Sequence, residues 1–176
     1  MFAATLRPST VVYREEQNFG WWVYALMVLM VAFGVVLELL ARSRNPGGEP
    51  DAGMSLQVPV VLLVSLLLPT IMIVGVLRLT TEVDATGIRI WFGWIPTFQR
   101  TICLADLERV EPVRYRPLVD CGGWGIRTGP GGERVYNARG DLGVRLHFRD
   151  GTRILIGSQR PDELADAIVR SLPPTS

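Results

Sequence analysis

Lysine is absent from this 176-residue chain, and all 18 of its basic side chains are arginines. The sequence therefore excludes chemistry that depends on lysine, such as a Schiff base with a carbonyl substrate or the phosphate-binding lysine of a Walker motif. The arginines are balanced by 17 acidic residues, which leaves a formal net charge of +1. A charge so close to zero does not indicate a nucleic-acid partner.

Histidine and cysteine are almost as scarce, with 1 His and 2 Cys. Metal sites and nucleophilic triads are built from several such side chains, and no nucleophile elbow accompanies His147. We interpret His147 as a solvated or hydrogen-bonded side chain on the polar face of a strand. Cys103 and Cys121 can pair in principle, but neither lies in a CxxC motif, and two free thiols are the favoured interpretation. The sequence thus predicts no catalytic residue, no cofactor and no metal.

Charge is also missing from a long run, Val58–Leu77, whose only polar side chains are Ser65 and Thr70. A helix of this length spans about 30 Å, the thickness of the hydrocarbon core of a bilayer. We therefore predict a transmembrane helix over residues 58–78. Pro59 is expected in its first turn and the interior Pro69 at a kink.

A second uncharged run, Phe19–Leu37, predicts another transmembrane helix over residues 19–41. A signal peptide is the competing interpretation, which the length of the apolar core and the lack of a cleavage pattern disfavour. Glu38 near its far end is tolerable close to the interface. Aromatic and long basic side chains at the predicted helix ends are expected to anchor the chain at one membrane face. These expected anchors are Trp21, Trp22, Tyr24 and Arg78.

The segment between the runs, residues 42–57, contains Asn45-Pro-Gly-Gly48 and predicts a turn, so the two helices are expected to form a hairpin. The arginines close to the helix ends favour the cytoplasmic side for both termini. Those on the terminal side are Arg7, Arg14, Arg78 and Arg89, against Arg42 and Arg44 in the loop. Residues 1–18 are expected to be a loosely ordered tail, in which Val11–Tyr13 forms either a short strand or an interfacial turn.

Residues 79–176 change to an alternation of apolar and polar side chains, which is typical of half-buried strands. The pattern predicts about seven short antiparallel strands in a sandwich or barrel. Candidate strands are Leu79–Val83, Ile88–Phe92, Phe98–Leu104, Leu107–Val113, Gly125–Arg127, Arg134–Asn137, Gly143–Arg149 and Thr152–Ile156. A final amphipathic helix begins at Pro161 and is expected to cover the open end of the barrel.

The order of two apolar helices, strands and a final helix resembles the bacterial pleckstrin-homology-like (PH-like) domain proteins, and in particular an uncharacterised group with a membrane hairpin. The resemblance covers residues 20–172 and implies a seven-stranded bent barrel capped by the C-terminal helix, with no implied activity. Its motifs are Phe92-Gly-Trp-Ile-Pro-Thr-Phe-Gln-Arg100, Tyr115-Arg-Pro-Leu118, Asp120-Cys-Gly-Gly-Trp-Gly-Ile-Arg127, Tyr136-Asn137 and Gly157-Ser-Gln-Arg-Pro161.

The stretch Tyr115–Arg127 is the most unusual part of the predicted domain, because proline and glycine interrupt any strand there. One interpretation is a bulged crossing strand whose Trp124 fills the barrel while Asp120 and Arg127 hold the loop. The other is a binding groove for a partner strand or peptide, with Trp124 partly exposed. The candidate groove residues are Tyr115, Pro117, Asp120, Trp124 and Arg127.

Two functions follow as hypotheses. The first is a non-enzymatic interaction module in the bacterial cytoplasmic membrane, which contacts the lipid bilayer and binds a protein partner or a second copy of itself. The alternative is a domain that holds a small apolar or lipid-like ligand in the barrel mouth, near Trp91, Trp94 and Trp124.

Overall fold

The computed structural model describes residues 11–44, 52–96 and 98–172. Within these ranges the chain forms four α-helices and nine strands. The helices are α1 (Trp21–Arg44), α2 (Ala52–Gly75), α3 (Pro117–Cys121) and α4 (Pro161–Arg170). The strands are β1 (Tyr13–Asn18), β2 (Arg78–Asp84), β3 (Gly87–Phe92), β4 (Phe98–Ile102), β5 (Leu107–Arg114), β6 (Gly125–Thr128), β7 (Arg134–Asn137), β8 (Leu142–Phe148) and β9 (Arg153–Gly157).

Helix α1 is long and apolar enough to cross a membrane over Trp21–Leu40, and none of this stretch is buried against the rest of the protein. Among the described residues it is the one helix that meets these criteria of length and composition. An apolar helix near the N-terminus with so little protein covering it favours a lipid environment, because water would otherwise contact most of its apolar surface.

Helix α2 is also 24 residues long and contains a shorter apolar stretch, Leu63–Gly75. It packs against α1, and a Cβ atom added at Gly34 of α1 would lie only 3.1 Å from Ser65 Oγ of α2. Small side chains at such a contact let two helices approach closely. The pair therefore lies side by side, joined through residues 45–51.

The predicted boundaries of the connecting loop are wrong at both ends, because helix extends to Arg44 on one side and begins at Ala52 on the other. Pro59 consequently lies inside α2 and not in its first turn, and the helix continues through Pro69. The flanking residues are mostly ordinary helix formers, so each helix extends beyond its apolar run. The predicted turn Asn45-Pro-Gly-Gly48 lies outside the described residues.

The expectation of a loosely ordered tail is wrong for strand β1. Its six residues pair antiparallel with β2, from Tyr13 opposite Val83 to Asn18 opposite Arg78. The inward side chains of β1 include Glu15 and Gln17, so hydrophobic periodicity gave no sign of this strand. Residues 1–10 lie outside the described residues.

The strands form two sheets, and no closed barrel joins them within the described part of the chain. The first sheet has the order β1-β2-β3-β4, and the second has the order β5-β8-β9-β7-β6. The mainly-β domain with a C-terminal helix is confirmed. The expectation of purely antiparallel strands is wrong for β7 and β9. These pair in parallel because β9 turns back antiparallel to β8 and lies between β8 and β7.

The inner faces of the two sheets form one core together with α4. As predicted, α4 begins at Pro161, carries acidic residues in its first turn and buries Leu164 and Ile168. It packs across β5 and β8. The most deeply buried large side chains of the core include Leu79, Ile88, Ile90, Phe92, Leu146, Ile156, Leu164 and Ile168.

Candidate functional site

The stretch Tyr115–Arg127 contains a short helix, α3, in place of the predicted bulged strand. Pro117 occupies its first turn, where a missing N–H costs little, and its side chain is buried. Gly122 ends the helix in a left-handed conformation with φ 70°, and the Gly123 N–H donates to the Pro117 carbonyl at 2.8 Å. The glycines of this motif thus end a helix, whereas we had expected them to distort a strand.

Tyr115 and Asn137 form a buried polar link beneath this loop. The Tyr115 hydroxyl accepts a hydrogen bond from Asn137 Nδ2 at 3.0 Å, and Asn137 Oδ1 accepts one from the Gly125 N–H at 2.9 Å. A Cβ atom at Gly157 would lie 2.8 Å from the Cβ of Asn137, so the neighbouring strand approaches closely here. The link joins the residues at the ends of β5, β6, β7 and β9. Sequence reasoning did not identify Asn137 as part of this site.

Asp120 and Arg127 each close a turn of their own segment. Asp120 Oδ2 accepts a hydrogen bond from the Arg116 N–H at 2.8 Å, and Arg127 Nε donates one to the Trp124 carbonyl at 3.1 Å. Both bonds lie within the loop and fix its shape. Arg127 is exposed and Asp120 is half-buried.

Trp124 is half-buried, and its ring contacts an aromatic residue on α1. The ring centroids of Trp124 and Trp22 are 5.6 Å apart with a tilted arrangement, and Trp124 Nε1 donates to the Gly140 carbonyl at 3.4 Å. Aromatic pairs at such distances contribute about 0.5–1.5 kcal/mol beyond simple burial. The indole therefore joins the β domain to the first turn of α1, a role that neither sequence-based interpretation anticipated.

Further contacts complete what we call the helix–domain junction, the region where the start of α1 and the end of α2 meet the β domain. The Trp94 N–H donates to the Val74 carbonyl at 2.8 Å, which caps the C-terminal end of α2. The Tyr24 hydroxyl donates to the Leu77 carbonyl at 3.2 Å. The β domain is thus joined to both helices by polar contacts as well as by the Trp22–Trp124 pair.

The expected membrane anchors lie at this junction in different environments. Trp21 is 78 % exposed, whereas Tyr24 is half-buried. Arg78 forms an ion pair with Glu16, and its guanidinium lies 4.5 Å from the centre of the Trp94 ring. Arg78 therefore has protein partners for its charge, in addition to any headgroup within its reach.

The three indoles proposed for a barrel mouth have three different partners. Arg14 lies over Trp91 at 5.9 Å, Arg78 lies over Trp94, and Trp22 lies beside Trp124. Arg14 and Arg89 also flank Glu82, at 3.0 Å and 3.3 Å, on the same outer face of the first sheet. Trp91 thus belongs to a charged sheet face, while the other two indoles belong to the helix–domain junction.

A groove of about 500 Å³ lies between the end of β5 and the start of α4. Two ion pairs stand at its rim, Arg114–Asp141 at 2.7 Å and Arg160–Glu163 at 3.0 Å. Its lining combines apolar side chains with both signs of charge. The lining residues are Pro112, Val113, Arg114, Leu142, Gln159, Arg160, Pro161, Asp162 and Glu163.

The scarce His and Cys residues lie apart from this groove. His147 Nε2 is 3.5 Å from Glu111 Oε2 on the neighbouring strand. Cys103 is exposed and Cys121 is buried, both as free thiols, and burial raises the pKa of the Cys121 thiol, which makes it less reactive. The described part of the chain contains no group of three or more His, Cys, Asp or Glu residues arranged to hold a metal ion.

Comparison with known proteins identified no matching family model, curated protein or solved structure.

The buried Tyr115 hydroxyl predicts an alkaline loss of stability. Burial raises the pKa of Tyr115 to about 12, whereas the pKa of a tyrosine in the unfolded chain is about 10. A raised phenol pKa stabilises the fold fully below the unfolded value, and that stabilisation is lost as the pH rises towards the folded value. We expect the free energy of unfolding to fall by up to about 3 kcal/mol across this interval because of Tyr115.

The measurement is urea unfolding of the full chain in detergent at a series of alkaline pH values, with Tyr115→Phe as the comparison. The variant lacks the hydroxyl bonded to Asn137, so it is expected to be less stable at neutral pH but to show a shallower alkaline slope. Burial also raises the pKa of Tyr13, which leaves part of the slope in both proteins. Equal slopes would contradict the assignment to Tyr115.

Proposed function

We propose that this chain is a membrane-anchored, non-enzymatic interaction module in which two helices cross a bilayer and a PH-like β domain binds a protein partner at its surface. The apolar surface of α1 supports the membrane anchor. The side chains of α2 described beyond its first turns also include many exposed apolar groups. These are Val60, Val61, Leu63, Val64, Leu66, Leu67, Leu68, Ile71, Met72, Ile73 and Val74.

A helix pair with this surface is unstable in water but suited to lipid, where each helix satisfies its own backbone hydrogen bonds. The two helices lie side by side, and α1 begins and α2 ends at the helix–domain junction. This favours a hairpin with the tail and the β domain on one side of the membrane. The arginine distribution given above favours the cytoplasmic side.

The PH-like part of the proposal is supported by the order of the elements. Three strands of the first sheet, the whole second sheet and a C-terminal helix against the core follow the helix pair, although the two sheets do not close into the barrel that the resemblance implies. Strand β1 and the parallel β7–β9 pair go beyond that pattern.

The observation that carries a binding role is the groove between β5 and α4. Its lining has an apolar part, formed by Pro112, Val113 and Leu142, and a rim with both signs of charge. Protein-binding sites commonly combine an apolar centre with a polar rim. A segment of a protein partner is the class of ligand that fits such an open groove.

The edge of β5 indicates how that segment is recognised. Strand β5 is the outermost strand of the second sheet, and the Tyr115 N–H donates inward to the Asp141 carbonyl at 2.8 Å. Backbone groups along a strand point alternately to either side, so those of residue 112 point away from β8, towards the open edge. Proline has no N–H to donate there. Pro112 therefore disfavours the addition of a further strand, so side chains are expected to dominate recognition.

Photo-cross-linking in cells tests this proposal. A photoreactive residue in place of the exposed Pro112 is expected to capture a partner, while the same residue at Thr152, on a distant hairpin, is not. Arg114→Glu reverses a rim charge and is expected to lower the capture about tenfold, the effect of losing roughly 1.4 kcal/mol. Capture of a second copy of the chain identifies a homo-oligomer. Equal capture at both positions, or none at either, would contradict a binding role for the groove.

A further inference from the structure

We propose that the segment Pro117–Arg127, which we call the α3 loop, inserts its apolar side chains into the lipid interface of the membrane that α1 crosses. This inference rests on the proposed membrane span of α1. It assigns to the α3 loop a lipid-binding role that is separate from the partner-binding groove.

The first observation is the exposure of apolar side chains in the α3 loop. Leu118 is 66 % exposed, Val119 is 73 % exposed and Ile126 is 41 % exposed. Adjacent apolar side chains at a protein surface commonly mark a contact with a protein or a membrane. The loop is held in shape by the Asp120, Arg127 and Gly123 hydrogen bonds described above, so its apolar side chains project from a defined support.

The second observation is the level at which the loop lies. Trp124 contacts Trp22, and Trp22 belongs to the first turn of α1, where the proposed span begins. Interfacial aromatic residues prefer the headgroup level, so this pair places the α3 loop at the membrane surface. On the other helix, the Trp94 N–H caps α2 at Val74, and the Trp94 side chain is 67 % exposed. Apolar side chains of the β domain thus lie beside the ends of both helices.

The third observation is the charge around the loop. Arg116, Arg127 and Arg139 are exposed on or beside it, and Arg139 immediately precedes the Gly140 carbonyl that accepts the Trp124 hydrogen bond. Arginines beside an apolar insertion favour a surface that carries anionic lipids. A lipid surface therefore accounts for both the apolar side chains and the charge that surrounds them.

Depth-dependent fluorescence quenching in proteoliposomes tests this proposal with the full chain. The background is Cys103→Ser, which removes the exposed thiol and leaves the buried Cys121. An environment-sensitive fluorophore is attached at Val119→Cys or, separately, at Leu118→Cys. The quencher is brominated phosphatidylcholine in vesicles that also contain phosphatidylglycerol.

Two further positions serve as controls. Ala85→Cys lies on the exposed β2–β3 turn, at the far end of a seven-residue strand that spans about 20 Å from the junction. Met30→Cys lies within the span of α1 and is 60 % exposed on the protein.

We expect brominated lipid to quench the labels at Val119 and Leu118 by about half, while the label at Ala85 is almost unaffected. Quenching at Met30 with no more quenching at Val119 and Leu118 than at Ala85 would overturn this inference but leave the proposed membrane anchor standing. An unquenched label at Met30 would overturn both. A blue-shifted emission at Val119 without quenching by lipid would indicate that protein covers the loop, which also overturns the inference.

Discussion

Replacing Glu15 by alanine is expected to lower the free energy of unfolding by about 3–5 kcal/mol. Glu15 is only 5 % exposed, and its two carboxylate oxygens accept four hydrogen bonds. Oε2 accepts from the hydroxyls of Tyr13 and Ser158 at 2.7 and 2.6 Å, and Oε1 accepts from the Gln159 N–H at 2.7 Å and Gln17 Nε2 at 3.2 Å. The substitution leaves these buried donors without their acceptor.

This carboxylate also joins distant parts of the chain, because Ser158 and Gln159 lie between β9 and α4 whereas Glu15 lies in β1. The measurement is urea unfolding in detergent, followed by the far-ultraviolet circular dichroism of the full chain. The matched control is Glu16→Ala on the opposite face of the same strand. Glu16 pairs with Arg14 and Arg78 on the solvent side, so its loss is expected to cost no more than about 1 kcal/mol. Similar costs for the two variants would contradict the proposed role of Glu15.

The substitution Gly93→Ala is expected to cost about 2–4 kcal/mol and to disturb the helix–domain junction. Gly93 has φ 89°, and a Cβ atom there would lie 2.5 Å from the Gly75 carbonyl oxygen at the end of α2. That oxygen belongs to the backbone, so the clash cannot be relieved by moving a side chain. Because the next residue, Trp94, caps α2, the strain is transmitted directly to the contact between the helix and the first sheet.

The matched control is Gly122→Ala, which also occupies the left-handed region, with φ 70°, but has no atom within 4 Å of the added Cβ. Its cost is expected to be only the conformational penalty of about 1–2 kcal/mol. The unfolding assay compares the two variants, and limited proteolysis between α2 and β2 reports on the junction itself. If Gly93→Ala lowers the free energy of unfolding no more than Gly122→Ala does, the close approach of Gly93 to α2 does not contribute to stability.

The elements that were predictable from the sequence are those whose pattern is local. Strands β3 and β8 alternate apolar and polar side chains, and α4 combines a proline start, an acidic first turn and one apolar face. The long uncharged run of α1 likewise needs only its own residues to be recognised. In each case the signal is contained within one element, because burial of one face imposes a period on the side chains.

The missed elements depend on partners far along the chain. Strand β1 directs Glu15 and Gln17 inward, and these polar side chains are acceptable there only because Ser158, Gln159 and Gly157 supply hydrogen bonds. Helix α3 is too short to display a helical period. The pairing of β7 with β9 likewise depends on where the β6–β7 hairpin lies in the sheet.

The candidate site shows the same division. Sequence reasoning selected Tyr115–Arg127 for its glycines and Trp124, but it could not supply the two partners that give the loop its place. Asn137 reaches Tyr115 and Gly125 from another strand, and Trp22 reaches Trp124 from the first turn of α1. The groove was missed entirely, because it forms only where β5 and α4 meet.

The sequence by itself determined that a long apolar helix precedes a β-rich domain and that an amphipathic helix follows this domain, because each of these properties is visible in the spacing of neighbouring side chains. The tertiary structure alone decided that β1 completes the first sheet, that Trp124 joins the domain to α1, and that a groove forms between β5 and α4. These features depend on contacts between residues distant in sequence, and such contacts arise only when the whole chain has packed.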